Sequence, residues 1–271
     1  MLTISKIGIL GCGWLGTKLA HSFLQKGIQV AASSRQESSL QKLQQMSVDT
    51  FALDLKENQI EGNFDFFNKL DVLIITVPPG VRKNRDTSFE NKIAPLIDLL
   101  KDSTLNRIVF TSSTSVYGKS SGTVDEHSEL RPITSSGQQL ARIEKSFIDN
   151  FPENVQILRL GGLIGPNRHP INSLKSKSII KNGLNPINLI HSKDVVNAVN
   201  KLLSNPVKKS HYNLVSPYHP SKESYYSNLA SQWNISLPPF EKTTLYPKEI
   251  SSAAFRDDYS FSFDVEKLLI E

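Results

Sequence analysis

The stretch Ile7-Gly8-Ile9-Leu10-Gly11-Cys12-Gly13-Trp14-Leu15-Gly16 constrains this chain more than any other, because it reads as a buried strand, a glycine turn and the start of a helix. Gly11, Gly13 and Gly16 have the G-x-G-x-x-G spacing, which lets a backbone bend tightly and approach a pyrophosphate at a helix N-terminus. Taken by itself, the spacing also describes a purely structural turn. The context favours the ligand. An apolar run precedes it, Trp14, Leu15, Leu19, Phe23 and Leu24 form an apolar helical face behind it, and a second strand, Ile28 to Ala32, follows. The expectation is a dinucleotide-binding α/β fold in which Gly11, Cys12, Gly13, Trp14, Leu15 and Gly16 meet the cofactor.

A length of 271 residues suits one large α/β domain, or a main domain with a smaller lobe. The content of 38% hydrophobic and 21% charged residues is ordinary for a soluble globular protein. A formal charge of +5, with its lysines and arginines scattered, argues against nucleic acid as a partner and is compatible with a polyanionic dinucleotide. Cys12 is the lone cysteine, so no internal disulfide forms and a reducing compartment fits. No segment approaches the length of a membrane span, so the expected location is the cytoplasm. The six histidines show neither H-E-x-x-H nor Cys/His clustering, so no metal site is expected.

The second strand leads into Ser33-Ser34-Arg35, at the position where an acidic residue normally binds the adenosine ribose hydroxyls of NAD. Here Arg35 with the two hydroxyls of Ser33 and Ser34 suits a 2′-phosphate, which predicts NADP over NAD; the alternative is an Arg35 that points to solvent. A helix from Ser38 to Gln45 precedes a third strand, Thr50 to Leu53, ending at Asp54-Leu55. Asp54 either bonds the adenine amino group or closes the strand as a turn former. Val72 to Ile75 is an apolar run of the kind a strand buried on both faces requires. It stops at Thr76-Val77-Pro78-Pro79-Gly80, placing Val77, Pro78 and Pro79 where a cofactor crosses the sheet edge. A helix from Phe89 to Leu100 follows, with a kink expected at Pro95.

The next strand, Arg107 to Thr111, runs into Ser112-Ser113-Thr114-Ser115-Val116-Tyr117-Gly118. A strand ending in hydroxyls and then Val-Tyr-Gly resembles the extended short-chain dehydrogenase/reductase superfamily, which contains nucleotide-sugar epimerases and dehydratases. Ile157 to Pro166 resembles that group's sixth strand with its Gly-Pro turn. Asn188-Leu189-Ile190-His191-Ser192-Lys193-Asp194-Val195-Val196 resembles its Ile-His-x-x-Asp-Val segment, and Tyr212-Asn213-Leu214 continues as the following strand. The resemblance implies a doubly wound Rossmann fold with a mainly parallel sheet and a smaller C-terminal α/β lobe. Residues 1–160 would bind NADP, and 161–271 would form the substrate lobe with excursions back to the main sheet. It also implies a small-molecule substrate of nucleotide-sugar type, a hydroxyl at Ser113 that bonds the reacting oxygen, and a monomer or homodimer.

Chemistry in that superfamily rests on Tyr-x-x-x-Lys along one helix face. Matching the helix on Gly137 and Glu144 puts Ser136 at the tyrosine position and Leu140 at the lysine position. A serine hydroxyl is too weak an acid to replace an activated phenol, and leucine supplies no charge. Tyr117 is the one nearby substitute acid, and the turn that carries it brings no lysine. This combination resembles the atypical members of the superfamily, in particular their bacterial YeeZ-like branch. The function it implies is NADP(H) binding with oxidoreductase or epimerase chemistry by a modified mechanism; the alternative is a non-catalytic dinucleotide sensor.

In the lobe, Arg168 follows the Gly-Pro turn and is either a contact for an anionic substrate group or a solvated loop charge. His191 and Asp194 sit at a strand-to-helix junction, which suits packing for the first and a cap or first-turn role for the second. Glu223 to Trp233 reads as a helix with a core face, the segment from Pro238 to Ala254 as irregular, and the tail Phe261 to Leu269 as ending in a short helix.

Overall fold

The computed structural model describes residues 4–79, 88–265 and 268. Gly80 and tail positions 266, 267 and 269 lie outside the described residues. The strands are β1 (Lys6–Leu10), β2 (Gln29–Ser34), β3 (Asp49–Lys56), β4 (Gln59–Gly62), β5 (Val72–Ile75), β6 (Arg107–Ser113), β7 (Gly122–Val124), β8 (Val155–Leu160), β9 (Gly162–Ile164), β10 (Leu189–His191), β11 (His211–Leu214) and β12 (Lys248–Ile250). The helices are α1 (Trp14–Leu24), α2 (Glu37–Gln44), α3 (Phe89–Leu100), α4 (Ser135–Asn150), α5 (Ile171–Leu174), α6 (Ser192–Leu203), α7 (Lys222–Gln232) and α8 (Ala253–Tyr259).

Eight strands form one sheet in the order β11-β8-β6-β5-β1-β2-β3-β4. β1 pairs in parallel with both β2 and β5, β2 with β3, and β5 with β6, while β3 and β4 form an antiparallel hairpin. Each parallel step needs a crossover, which α1 and α2 supply on the way to β2 and β3. The chain first builds outward from β1 to β4 and then returns to place β5 on the other side of β1. The switch point therefore lies between β1 and β5. All four residues of β5 are fully buried, as the continuous apolar run Val72 to Ile75 requires of a strand covered on both faces. This is the doubly wound, mainly parallel architecture that the sequence predicts.

The chain divides into two compact units. The first comprises 1–112, 134–158 and 202–211; the second comprises 113–133, 159–201 and 212–271. The second unit has its own apolar core, in which Ile171, Leu174, Ile180 and Ile187 pack with Tyr225, Tyr226 and Leu229 of α7. Short parallel pairs, β9 with β10 and β7 with β12, lie within it.

Several expected bounds move. β3 runs on to Lys56 and turns back into β4 through Asn58, whose positive φ of 61° suits asparagine, so Asp54 sits inside a strand opposite Glu61 instead of closing one. The segment expected to be irregular contains β12, a strand of Lys248–Ile250. It is too short to show periodicity and exists because Gly122–Val124 pairs with it. Residues 261–265 of the tail are in neither helix nor strand, and a helix not expected from the sequence, α8 (Ala253–Tyr259), precedes them. Pro95 stays inside α3. The carbonyl it leaves without a helical donor, that of Asn91, accepts the Asn58 N–H at 3.0 Å. Among the described residues, no helix is long and apolar enough to cross a membrane.

Candidate functional site

The glycine turn is held from below by Ser33 at the end of β2. Gly11 donates its N–H to Ser33 Oγ at 3.1 Å, and Cys12 donates to the Ser33 carbonyl at 2.7 Å. From the β5 side, Thr76 Oγ1 donates to the Gly11 carbonyl at 2.9 Å. Two neighbouring strands thereby fix the loop that joins β1 to α1.

The three glycines differ in what surrounds them. Gly11 has φ +78°, and a Cβ there would lie 2.5 Å from Val77 Cγ2. Gly16 packs α1 on the sheet, with the space for a Cβ bounded by Ile9 Cγ2 at 3.1 Å and Cys12 Sγ at 3.2 Å. Gly13 faces open space: a Cβ would find only the Gly11 carbonyl oxygen, 3.9 Å away. Neither packing nor a left-handed backbone requires a glycine at 13. The helix that starts there has no side-chain N-cap bond at Gly13, and its macrodipole makes this end positive.

This loop forms one wall of a cavity of about 310 Å³ in the first unit. Gly11, Cys12 and Gly13 line it from the turn, Ser34 and Arg35 from the end of β2, Asp54 and Leu55 from β3, and Val77, Pro78 and Pro79 from beyond β5. Residues separated by up to sixty-eight positions thus converge at the carboxyl ends of the central strands, where ligands of open α/β sheets sit. The fit to a dinucleotide is good: an open glycine face, an uncapped helix start and an exposed guanidinium on a common void. Trp14, Leu15 and Gly16 were also expected here but belong to the body of α1. Trp14 lies under the Lys18 ammonium, 5.0 Å from the ring centroid, and Leu15 is core.

Ser33, whose hydroxyl the sequence reading sets beside Arg35 and Ser34, also lines the cavity, and five further residues do so without having been assigned to it: Leu10, Gln36, Ser39, Leu53 and Lys92. Lys92 had no signal in the sequence, because its position depends on how α3 packs in the first unit. Arg35 has no carboxylate partner among the described residues, and Ser34 Oγ accepts the Gln36 N–H at 3.1 Å while keeping its own hydrogen to donate. Burial pushes the Cys12 thiol up to about 12, so it lines the cavity as a neutral group and not as a nucleophile.

The expected catalytic positions divide between the two units. In the first, α4 carries Ser136, whose hydroxyl is 3.3 Å from Thr134 Oγ1, and Leu140, which is 3% exposed and part of the core. The same helix packs through Glu144, whose buried carboxylate accepts from Ser112 Oγ. In the second unit, Ser113 Oγ accepts the Ser115 N–H at 3.1 Å and so caps the turn that leads to Tyr117; its hydrogen remains available to a ligand. Tyr117 is fully buried, donates to Asn213 Oδ1 at 2.9 Å and accepts from Arg159 Nη1 at 2.8 Å. Burial raises its pKa, so this geometry lends no support to a role for Tyr117 as an acid near neutral pH.

Arg168 is exposed at a tight turn in which Gly165 and Arg168 exchange backbone hydrogen bonds and Asn167 has φ 61°. Asp194 lies in the first turn of α6 and accepts the Asp264 N–H at 2.7 Å, and His191 Nδ1 accepts the Lys193 N–H at 3.2 Å. Both serve the local structure.

Comparison with known proteins agrees with this geometry. Residues 7–215 match the NAD dependent epimerase/dehydratase family. The chain is 33% identical over 243 residues to protein YeeZ of Escherichia coli strain K12, covering 89% of this chain and 88% of that one. Among solved structures, a conserved protein of unknown function from Silicibacter pomeroyi superposes with a TM-score of 0.80 at 16% identity, over 97% of this chain and 94% of the other. A UDP-glucuronic acid 4-epimerase from Bacillus cereus in complex with NAD gives a TM-score of 0.76 at 18% identity, over 97% and 94%.

Proposed function

This chain belongs to the NAD dependent epimerase/dehydratase family, and from that premise we propose that it binds NADP(H) in the cavity of the first unit. The observation that carries the reading is the convergence of Gly13, Ser34 and Arg35 on one void with no carboxylate at the end of β2. The open face at Gly13 and the start of α1 would receive the pyrophosphate. Ser34 and Arg35 would hold the 2′-phosphate, where an acid would repel it, and Asp54 would accept from the adenine amino group. The bound dinucleotide supplies a ring that accepts or donates a hydride. Its partner in this reading is a small molecule of nucleotide-sugar type, converted by oxidoreductase or epimerase chemistry through a proton route other than the usual dyad. A cytoplasmic location is part of the reading, supported by a lone, buried, unpaired cysteine.

One observation favours a second reading. Leu140 is buried on α4, so the helix is committed to packing at the position where the superfamily's Tyr-x-x-x-Lys pattern would put a lysine, which suits a dinucleotide sensor without turnover. Thermal shift and titration with NADPH and NADH test the common part. Arg35→Ala is expected to weaken NADPH binding by about tenfold to a hundredfold, the worth of one or two charge-assisted hydrogen bonds, and to leave NADH nearly unchanged. Equal loss for both removes the 2′-phosphate assignment, and binding of neither to the unmodified protein removes both readings. Reduction of NADP by a panel of nucleotide sugars, or their epimerisation, separates enzyme from sensor.

A further inference from the structure

The second unit contains an open basin of about 680 Å³ that the dinucleotide reading leaves unused. One side comes from the stretch after α5, including Lys177 and Lys181, and the other from α7, through Lys222 and Tyr226. These three lysines line the basin, and no carboxylate does. Glu223 and Glu241, on adjoining segments, are not among its lining residues. Among the described residues, none of the three lysines forms an ion pair. The Lys222 ammonium donates instead to the Lys181 carbonyl at 2.9 Å, which ties the two sides together without neutralising either charge.

Stability alone does not account for this arrangement. Lys222 is the first residue of α7, at the end of the helix where its peptide N–H groups already make the potential positive and a cation is disfavoured. It is half-buried, and burial together with the charge of Lys177 depresses its pKa, so the ammonium groups interact through a partly desolvated space. Like charges gathered around a void cost free energy, and an anion seated among them reverses the sign. The volume lies in the range of small-molecule sites, and Ser178 and Asn182 add neutral donors on the same wall.

We propose that this basin binds the phosphate or diphosphate group of a small-molecule ligand, with Lys177, Lys181 and Lys222 as its charged contacts. The site shares no residue with the glycine cavity, so it stands or falls independently of the dinucleotide. If the nucleotide-sugar reading also holds, the basin is a place for that substrate's diphosphate.

Calorimetric titration of the full chain with inorganic pyrophosphate, and in parallel with uridine diphosphate, tests the assignment. Binding that weakens as salt rises is expected for the unmodified protein. Lys177→Ser with Lys181→Ser, both at exposed positions, and separately Lys222→Gln, are each expected to lower affinity by about tenfold or more, with the unliganded Tm as the check on folding. Lys145→Gln, which removes an exposed charge on α4 outside both cavities, is expected to keep pyrophosphate binding. Tighter binding of uridine diphosphate than of pyrophosphate assigns a nucleoside ligand to the basin, and equal affinity assigns the bare diphosphate. No binding to the unmodified protein, unchanged affinity in the Lys177/Lys181 and Lys222 variants, or an equal loss in Lys145→Gln overturns the proposal. Dinucleotide titrations of the same proteins report on the glycine cavity separately.

Discussion

At the scale of single residues, the glycine turn makes a distinction that composition cannot. Gly11 is held by its backbone angle and by Val77, whereas Gly13 faces nothing but space. Gly11→Ala combines a left-handed backbone with a methyl group 2.5 Å from a side chain, and is expected to cost about 2–4 kcal/mol in urea denaturation. Gly13→Ala is expected to cost about 1 kcal/mol or less, yet to weaken dinucleotide binding by tenfold or more, because its methyl group would stand where the pyrophosphate approaches. If Gly13→Ala bound as well as the unmodified protein, the open face would have another purpose. Tyr117 makes the complementary point. Its place in a Val-Tyr-Gly turn suggests a reactive phenol, but its hydroxyl is committed to Asn213 and Arg159, which lie 96 and 42 positions away.

At the scale of elements, α4 shows a helix whose polar side chains serve packing. Gln139 Oε1 accepts the buried N–H of Phe89, the first residue of α3, at 2.6 Å, and its Nε2 donates to Ser135 Oγ at 3.1 Å. Glu144 meets Ser112 at the end of β6. The helix is therefore a brace for α3 and the sheet. Gln139→Leu would leave the Phe89 N–H buried without an acceptor and is expected to cost about 1–3 kcal/mol in urea denaturation, while Ser136→Ala stays within about 0.5 kcal/mol. Equal effects of the two would show that the α3 cap contributes nothing. The length and register of α3 were readable from its 3.6-residue apolar spacing, and Ser88 caps it through a bond to the Asn91 N–H at 3.2 Å. That its proline would be tolerated was not readable, since the donor replacing the lost bond comes from the β3–β4 turn.

At the scale of the whole molecule, stability is expected to depend on pH through His169, which is 7% exposed within a cage of Tyr225, Tyr226 and Trp233 in the second unit. Its Nδ1 accepts the Ile171 N–H at 3.2 Å, so Nε2 carries the hydrogen and donates it to Tyr225, which donates in turn to the Leu268 carbonyl. Burial pushes the imidazole down from 6.5 to about 4. Between those values the unfolded chain binds the proton and the folded chain does not, so stability is complete above pH 6.5 and falls as pH drops toward 4. The loss is on the order of 2 kcal/mol and is read from urea midpoints across that range. His169→Gln should flatten the slope, and an unaltered slope would place the titration elsewhere. By itself the sequence determined the strand-turn-helix at Gly11 to Gly16 and the position of Arg35 just after β2, and its resemblance to a known superfamily implied the doubly wound fold. The first two follow from local spacing, which is set by the pitch of a helix, the alternation of a strand or the freedom of glycine. Only the tertiary structure decided that Lys92 joins the cavity, that Tyr117 is sealed inside a hydrogen-bond network, that β12 exists at all, and that three lysines share one basin. Those facts depend on contacts between residues far apart in sequence, and no local periodicity encodes which distant surfaces will meet.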